Sequence, residues 1–164
     1  MPKITIETTI WQLEWLPLEY KYDSYQLKIA LDETKTRKDT FKLLVEYIAQ
    51  PEKVTAKGGA AIQDAKGLYF INSANDTAGY MQQFWTQGEP QSNSAWFPVV
   101  DQPNEKITHE IAMTVDSTWM TLSNGEIAFV TQNGDGTRTD YWEMKQPHAP
   151  YLVMMAAGEF SVVN

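Results

Sequence analysis

The segment Ile107-Thr108-His109-Glu110-Ile111-Ala112-Met113-Thr114-Val115 alternates without a break. Ile107, His109, Ile111, Met113 and Val115 fall on one side, and Thr108, Glu110, Ala112 and Thr114 on the other. Side chains two positions apart share a face only in an extended chain, so this is the pattern of a half-buried strand. The same period recurs downstream in residues 120–123, 126–132, 137–145 and 151–157, and upstream in residues 3–9, 25–31 and 41–48. Turn chemistry separates the runs. Asn124-Gly125 fits a tight hairpin, and Asn133-Gly134-Asp135-Gly136 fits a second one joining 126–132 to 137–145. Gly58-Gly59 and Gly67 punctuate the middle, and Pro98, Pro103, Pro147 and Pro150 stop continuation. No amphipathic helix longer than a few turns is predicted, although residues 91–97 suit one short turn. The reading is all-β, a two-layer β-sandwich or saddle-like sheet assembly of roughly ten mostly antiparallel strands, in one domain over residues 1–164.

Composition agrees. Six Trp, eight Tyr and six Phe are residues that suit a pleated, half-buried surface. The formal net charge of −8 argues against nucleic acid, which needs a basic face, and against an anionic membrane surface. The chain has no cysteine, so a disulfide framework, a thiolate metal site and a cysteine nucleophile are excluded. No apolar run approaches the ~18 residues of a spanning helix, and the opening MPKITIETTI lacks the basic start and apolar centre of a secretory leader. These features predict a soluble protein and leave the compartment open between cytoplasm and periplasm or exterior. The N-terminus reads as strand from its first residues, which predicts a domain truncated at its start. An unpaired sheet edge left there would pair with another chain.

No complete catalytic site is legible. The two histidines, His109 and His148, lack the i, i+4 spacing of a zinc helix. His109, on an apolar strand face, is predicted to be a partly buried, hydrogen-bonded imidazole, and His148, between Pro147 and Pro150, a loop residue. Asn133-Gly-Asp-Gly lacks the spaced ligands and closing Glu of a calcium loop. Asp101, Glu105 and Glu110 read as solvated surface groups. Residues 84–106 break the alternation, and a long irregular stretch inside a compact domain is usually functional when ordered. Within it, Gln87-Gly88-Glu89 is the cluster of interest. In an extended segment Gln87 and Glu89 would point to one side, presenting an amide and a carboxylate together, while Gly88 would let another backbone approach. A carboxylate is a natural partner for a protonated α-amino group, which titrates near ~7.7–8.0.

At this segment the sequence resembles a known family. Phe84-Trp85-Thr86-Gln87-Gly88-Glu89-Pro90, then Trp96-Phe97-Pro98, Asp101, Pro103, Lys106 and Thr108, is similar to the hallmark stretch of the aminopeptidase N family of zinc metallopeptidases, the gluzincins that also include leukotriene-A hydrolase. That stretch runs T-Q-x-E-[AP], then F-P-C-x-D-x-P-x-x-K-A-T. Arg37-Lys38-Asp39, Gly67-Leu68-Tyr69-Phe70, Leu122-Ser123-Asn124-Gly125 and the span from Pro147 through Tyr151-Leu152 to Gly158-Glu159-Phe160 also fit, so the resemblance covers most of residues 20–164. The chain departs at Ser94, Val99, Gln102 and Ile107, where the family often has Arg, Cys, Glu and a small residue.

The resemblance implies the N-terminal β domain of a zinc-dependent aminopeptidase, without the catalytic domain. The H-E-x-x-H and Gly-x-Met-Glu-Asn motifs are absent from this chain; in the family they lie downstream, in a thermolysin-like domain. The implied cofactor is zinc in the parent enzyme and none bound by this chain, which would be inactive alone and supplies no catalytic and no metal-ligating residue. The implied partners are that catalytic domain and the N-terminus of a peptide substrate. Gln87 would line the pocket for the first side chain, Gly88 would allow close approach, and Glu89 would bind the α-ammonium. Two other readings remain open: a stand-alone β-sandwich binding module using exposed Trp85 and Trp96, and an interaction domain whose peptidase residues were lost.

Overall fold

The computed structural model describes residues 3–7, 15–54, 65–161 and 163, residues 3–7 by backbone alone. Every described strand pairs antiparallel, and the chain divides into two compact units at residues 49 and 50.

In the first unit, β1 (Lys3–Glu7) is the centre of a three-stranded sheet between β2 (Trp15–Pro17) and β5 (Lys42–Glu46). A small hairpin joins β3 (Tyr20–Tyr22) to β4 (Leu27–Ile29). Asp23 closes its turn, its Oδ1 accepting the backbone N–H groups of Tyr25 (3.0 Å) and Gln26 (2.7 Å). The alternation predicted over residues 25–31 is strand only at Leu27–Ile29, starting late because Asp23 bends the two residues before Leu27. The strand expected over 41–48 is shorter at both ends. Residues 8 and 9 of the run 3–9, and Gly58-Gly59, lie outside the described residues.

The second unit holds two sheets. One has the order β10-β11-β8, with β8 at Ile107–Asp116, β10 at Glu126–Gln132 and β11 at Thr137–His148. The other has the order β6-β7-β12-β9, with β6 at Leu68–Ile71, β7 at Gln83–Thr86, β9 at Met120–Ser123 and β12 at Met155–Gly158. Met113 and Val115 from β8 and Ala157 from β12 are buried together. Phe84, Ile111, Trp119, Trp142 and Met155 pack around them. The core thus lies between the sheets, on the side of β8 that the alternating pattern names. All-β sheet architecture agrees with the sequence reading.

A buried polar group bridges the layers. Asp140, 2% exposed, accepts bonds from Arg138 Nε (2.8 Å) and Nη2 (3.0 Å) and from Thr121 Oγ1 (2.6 Å). Thr121 Oγ1 in turn accepts the Trp142 indole N–H at 3.1 Å. Burial pushes the Asp140 carboxyl up, but the bonds from Arg138 and Thr121 outweigh it and hold the group below the usual carboxylate range.

Two turn assignments from sequence separate here. Asn133-Gly134-Asp135-Gly136 does close β10 onto β11, with Asp135 Oδ1 accepting the Thr137 N–H at 2.9 Å. Asn124-Gly125 does not make a hairpin. β9 pairs with β12 while β10 pairs with β11, so this dipeptide carries the chain from one sheet to the other. Gly125 takes φ +86°, and a Cβ there would collide with the Glu143 carbonyl oxygen. Asn124 Oδ1 accepts the Met154 N–H at 2.7 Å instead of closing a local turn. The strand expected over 151–157 begins only at Met155, because Pro150 starts a 3-10 turn, Pro150–Leu152.

Candidate functional site

β7 delivers the Gln87-Gly88-Glu89 segment. At its end Thr86 Oγ1 accepts the Met155 N–H at 3.0 Å, tying the strand to β12. Gln87 N–H continues the pairing to Gly67 O at 2.9 Å, past the last residue of the ladder with β6. The extended geometry then stops. Gly88 O accepts the Ser92 N–H at 2.7 Å, and residues 89–92 form a turn whose Glu89–Pro90 peptide is cis. The extended run thus ends at Gln87, and the buried Gly88 stands between Gln87 and the turn that Glu89 opens. Gln87 is half-buried and Glu89 exposed. Among the described residues, neither side chain has a hydrogen-bond or ion-pair partner.

Gly88 is fixed by packing. A Cβ there would collide with the carbonyl oxygen of Tyr151 and with Nδ2 of Asn93. Asn93, 0% exposed, is the hub of the site. Its Nδ2 donates to Pro150 O (2.7 Å) and Val153 O (2.8 Å), and its Oδ1 accepts the Trp96 indole N–H (2.8 Å). Both amide protons and the carbonyl are used, as a buried amide requires. Asn93 opens the short 3-10 turn Asn93–Ala95, within the one turn of helix foreseen over 91–97. Asp101 closes the loop, its Oδ2 accepting the Ser94 N–H (3.0 Å) and its backbone oxygen the Gln91 amide (3.0 Å). Asp101, half-buried, therefore organises the loop. The irregular stretch is thus pinned to the 150–153 turn, with Glu89 exposed beside the buried Gly88.

Asn93 was missed in the sequence because a lone Asn among Ser residues carries no period and no motif. Its three-residue spacing to Trp96 was the available signal, since that spacing brings a side chain onto an indole one helical turn later. Trp85 lies two residues before Gln87 and stacks on Tyr69, with ring centroids 4.6 Å apart and planes 16° apart. Trp85 remains 38% exposed, whereas Trp96 is 8% exposed and occupied structurally.

The histidines differ from expectation. His148 belongs to β11 rather than a loop, and its ring packs edge-on against His109 with centroids 5.0 Å apart. His109 is not hydrogen-bonded: neither ring nitrogen has a partner among the described residues. Burial, then the neighbouring His148, pushes its pKa down. Among the described residues no group of three or more His, Cys, Asp and Glu side chains could hold a metal ion. These residues therefore do not fit the zinc of a metallopeptidase. No helix among them is long and apolar enough to cross a membrane.

The chain belongs to the family of the peptidase M1 N-terminal domain, whose model matches residues 7–152. Among curated relatives it is 30% identical over 102 residues to leucine aminopeptidase 2 of Vanderwaltozyma polyspora, covering 62% of this chain and 15% of that protein. It is 27% identical over 104 residues to transcription initiation factor TFIID subunit 2 of Gallus gallus, covering 62% of this chain and 9% of that protein. Solved structures agree in fold. A two-domain M1 zinc metallopeptidase with bound L-tryptophan superposes with a TM-score of 0.71 at 17% identity, over 95% of this chain and 33% of that one. Native yeast LTA4 hydrolase gives a TM-score of 0.66 at 17% identity, over 99% of this chain and 22% of that one. The chain thus spans a third or less of each of these proteins.

Proposed function

We propose that this domain serves a zinc-dependent aminopeptidase by gripping the substrate's free N-terminus, with zinc and the hydrolytic residues supplied by a catalytic domain that follows it. The observation that carries this reading is the held shoulder: Gly88 wedged against Asn93 and Tyr151, with the exposed carboxylate of Glu89 and the half-buried amide of Gln87 on either side, neither with a partner among the described residues. An acceptor with no internal partner, on a loop fixed from beneath, is preorganised for a ligand. Glu89 binds the α-ammonium, Gln87 lines the pocket for the first side chain, and Gly88 keeps the loop close to its support. Selectivity follows from charge. A substrate ammonium pairs with Glu89, whereas an internal peptide nitrogen leaves the carboxylate desolvated and unpaired, costing ~1–3 kcal/mol or more.

The domain alone holds half a site and hydrolyses nothing. The open edge of β10, exposed along its length with Ile127, Phe129 and Val130 outward, is the place where a second chain would add a strand. Reading the coding sequence past Asn164 tests the enzymatic reading. Intact Gly-x-Met-Glu-Asn and H-E-x-x-H motifs support it. A following domain with the zinc ligands lost would class the protein with a binding or scaffolding role and remove the roles given to Gln87 and Glu89.

A further inference from the structure

Pro147 lies inside β11 and has no N–H to give to a ladder. Pairing with β8 breaks there. Met144 stands opposite His109, the register shifts, and His148 stands opposite Ile107. His109 to Ile107 is a step of two positions on β8, while Met144 to His148 is a step of four on β11, so β11 bulges between them. At the end of the bulge the His148 ring packs edge-on against His109, with centroids 5.0 Å apart. Pro150 then opens the turn Pro150–Leu152. The carbonyls of Pro150 and Val153 hold Asn93, and the Tyr151 carbonyl and Asn93 together wall in Gly88. One short run of chain, residues 148–153, thus links the histidine pair to the support of the candidate site.

Among the described residues, His109 Nδ1, His109 Nε2 and His148 Nε2 are buried without a hydrogen-bond partner. Such groups are uncommon, and each calls for a physical reason. The remaining ring nitrogen, His148 Nδ1, lies 2.9 Å from Gln146 O. A carbonyl oxygen only accepts, so Nδ1 carries the proton and Nε2 is left as a bare lone pair. A neutral ring tolerates such surroundings. A cationic ring does not, because its added N–H finds no acceptor and its charge meets a second imidazole. Burial, then His148, push the His109 pKa down for these reasons. Glu110, Glu143 and Lys145 line the depression beside His109 and Met144. The two carboxylates stand opposite each other on the alternate face of the ladder, where Lys145 pairs with Glu143 at 3.0 Å, so they do not neutralise a ring inside the bulge. The 150–153 turn brings Tyr151 and no charged side chain.

We infer that His109 and His148 form an acid-operated latch: protonation opens the bulge at the end of β11 and slackens the 150–153 turn, which releases Asn93 and with it the 87–89 segment. The direction follows from linkage. An opened ring is hydrated and takes its proton near the ordinary imidazole value of about 6.5, whereas the closed His109 ring titrates lower. The closed form therefore holds above pH 6.5. Below it each proton taken by an opened ring favours opening, by about tenfold for one ring between pH 7 and pH 5. The sheets stay folded meanwhile, because the core of Met113, Val115 and Ala157 and the bridge of Arg138, Asp140 and Thr121 contain no histidine. The consequence for substrate rests on the role proposed above for Glu89: a peptide gripped by its free N-terminus is let go as the pH falls.

The test is hydrogen exchange of two indole protons of this chain, followed by NMR at pH 7 and pH 5. The Trp96 indole N–H ends on Asn93 and reports the latch, while the Trp142 indole N–H ends on Thr121 and serves as reference. Both protons share the same intrinsic dependence on pH, so the ratio of their rates isolates local opening. That ratio, Trp96 over Trp142, is expected to rise about tenfold from pH 7 to pH 5. His109→Phe keeps a ring in the space but cannot take a proton, and is expected to abolish the rise. If that variant fails to fold, His148→Leu replaces it, with the rise expected to shrink to about threefold or less. A constant ratio in wild type, whether both rates stay low or climb together in global unfolding, would overturn the latch, as would a rise that survives intact in the folded variant. No substrate enters the measurement, so its outcome is separate from that of the role given to Glu89.

Discussion

Replacing Asn93 with Ala is expected to destabilise the second unit by about 3 kcal/mol. Three bonds end on this one buried amide. Pro150 O keeps a partner without it, because it also accepts the Val153 N–H at 3.0 Å. Val153 O and the Trp96 indole N–H lose the bonds that Asn93 gives them, and leaving a buried polar group unsatisfied costs roughly 1–3 kcal/mol each. Two such groups give about 3 kcal/mol, a large share of the ~5–15 kcal/mol stability typical of a domain. Asn93→Asp keeps the acceptor for Trp96 but turns an oxygen toward two carbonyl oxygens, so it is expected to cost at least as much at neutral pH. Urea denaturation followed by tryptophan fluorescence measures both, with a lowered midpoint and an unchanged slope expected. A loss under about 1 kcal/mol for Asn93→Ala would mean that water repairs the vacated bonds, and the idea that Asn93 holds the 87–89 shoulder would fall.

Gly88→Ala drives a Cβ into the Tyr151 carbonyl and Asn93, so the shoulder must move; a melting point within a degree of wild type would refute the wedge. Asp140→Ala strands the Arg138 guanidinium, whose side chain is only 15% exposed, and is expected to cost about 3–5 kcal/mol in urea denaturation. His109 has its folded pKa pushed below the value near 6.5 at which the unfolded imidazole titrates. The unfolded chain therefore binds more protons as pH falls, so the contribution is complete above pH 6.5 and is lost below it. His109→Phe should flatten that slope in stability measured between pH 7 and 5, and an unchanged slope would exclude His109 as its source. For the β10 edge, light scattering should show association that falls when Val130, 47% exposed, becomes Lys; a monomer mass at every concentration removes the idea.

How much was legible depended on whether the signal was local. Alternation along Ile107–Asp116 is a property of adjacent residues, so the strand and its buried face could be read directly. Asn124-Gly125 shows the limit. The dipeptide specifies a positive-φ turn, but whether the flanking strands pair with each other depends on β12, some thirty residues on. The Gln87-Gly88-Glu89 segment could be picked out because its motif is contiguous. Its support could not, because Asn93 meets Pro150 and Val153 only through tertiary packing. The histidine pair was hidden for the same reason: it depends on a register shift that Pro147 imposes, not on sequence spacing.

The central claim is that Glu89 recognises a free peptide amino group, and hydrolysis of matched peptides by the full protein carrying this domain tests it most directly. One peptide has a free N-terminus and the other is N-acetylated. The account predicts a strong preference for the free amine in wild type. Glu89→Gln is expected to lower kcat/KM for the free-amine peptide by about ten- to a hundredfold, the worth of a hydrogen bond to a charged group. The acetylated peptide should be little affected, so the preference collapses. Equal kcat/KM for both peptides in wild type, or a preference that survives Glu89→Gln intact, would contradict the account.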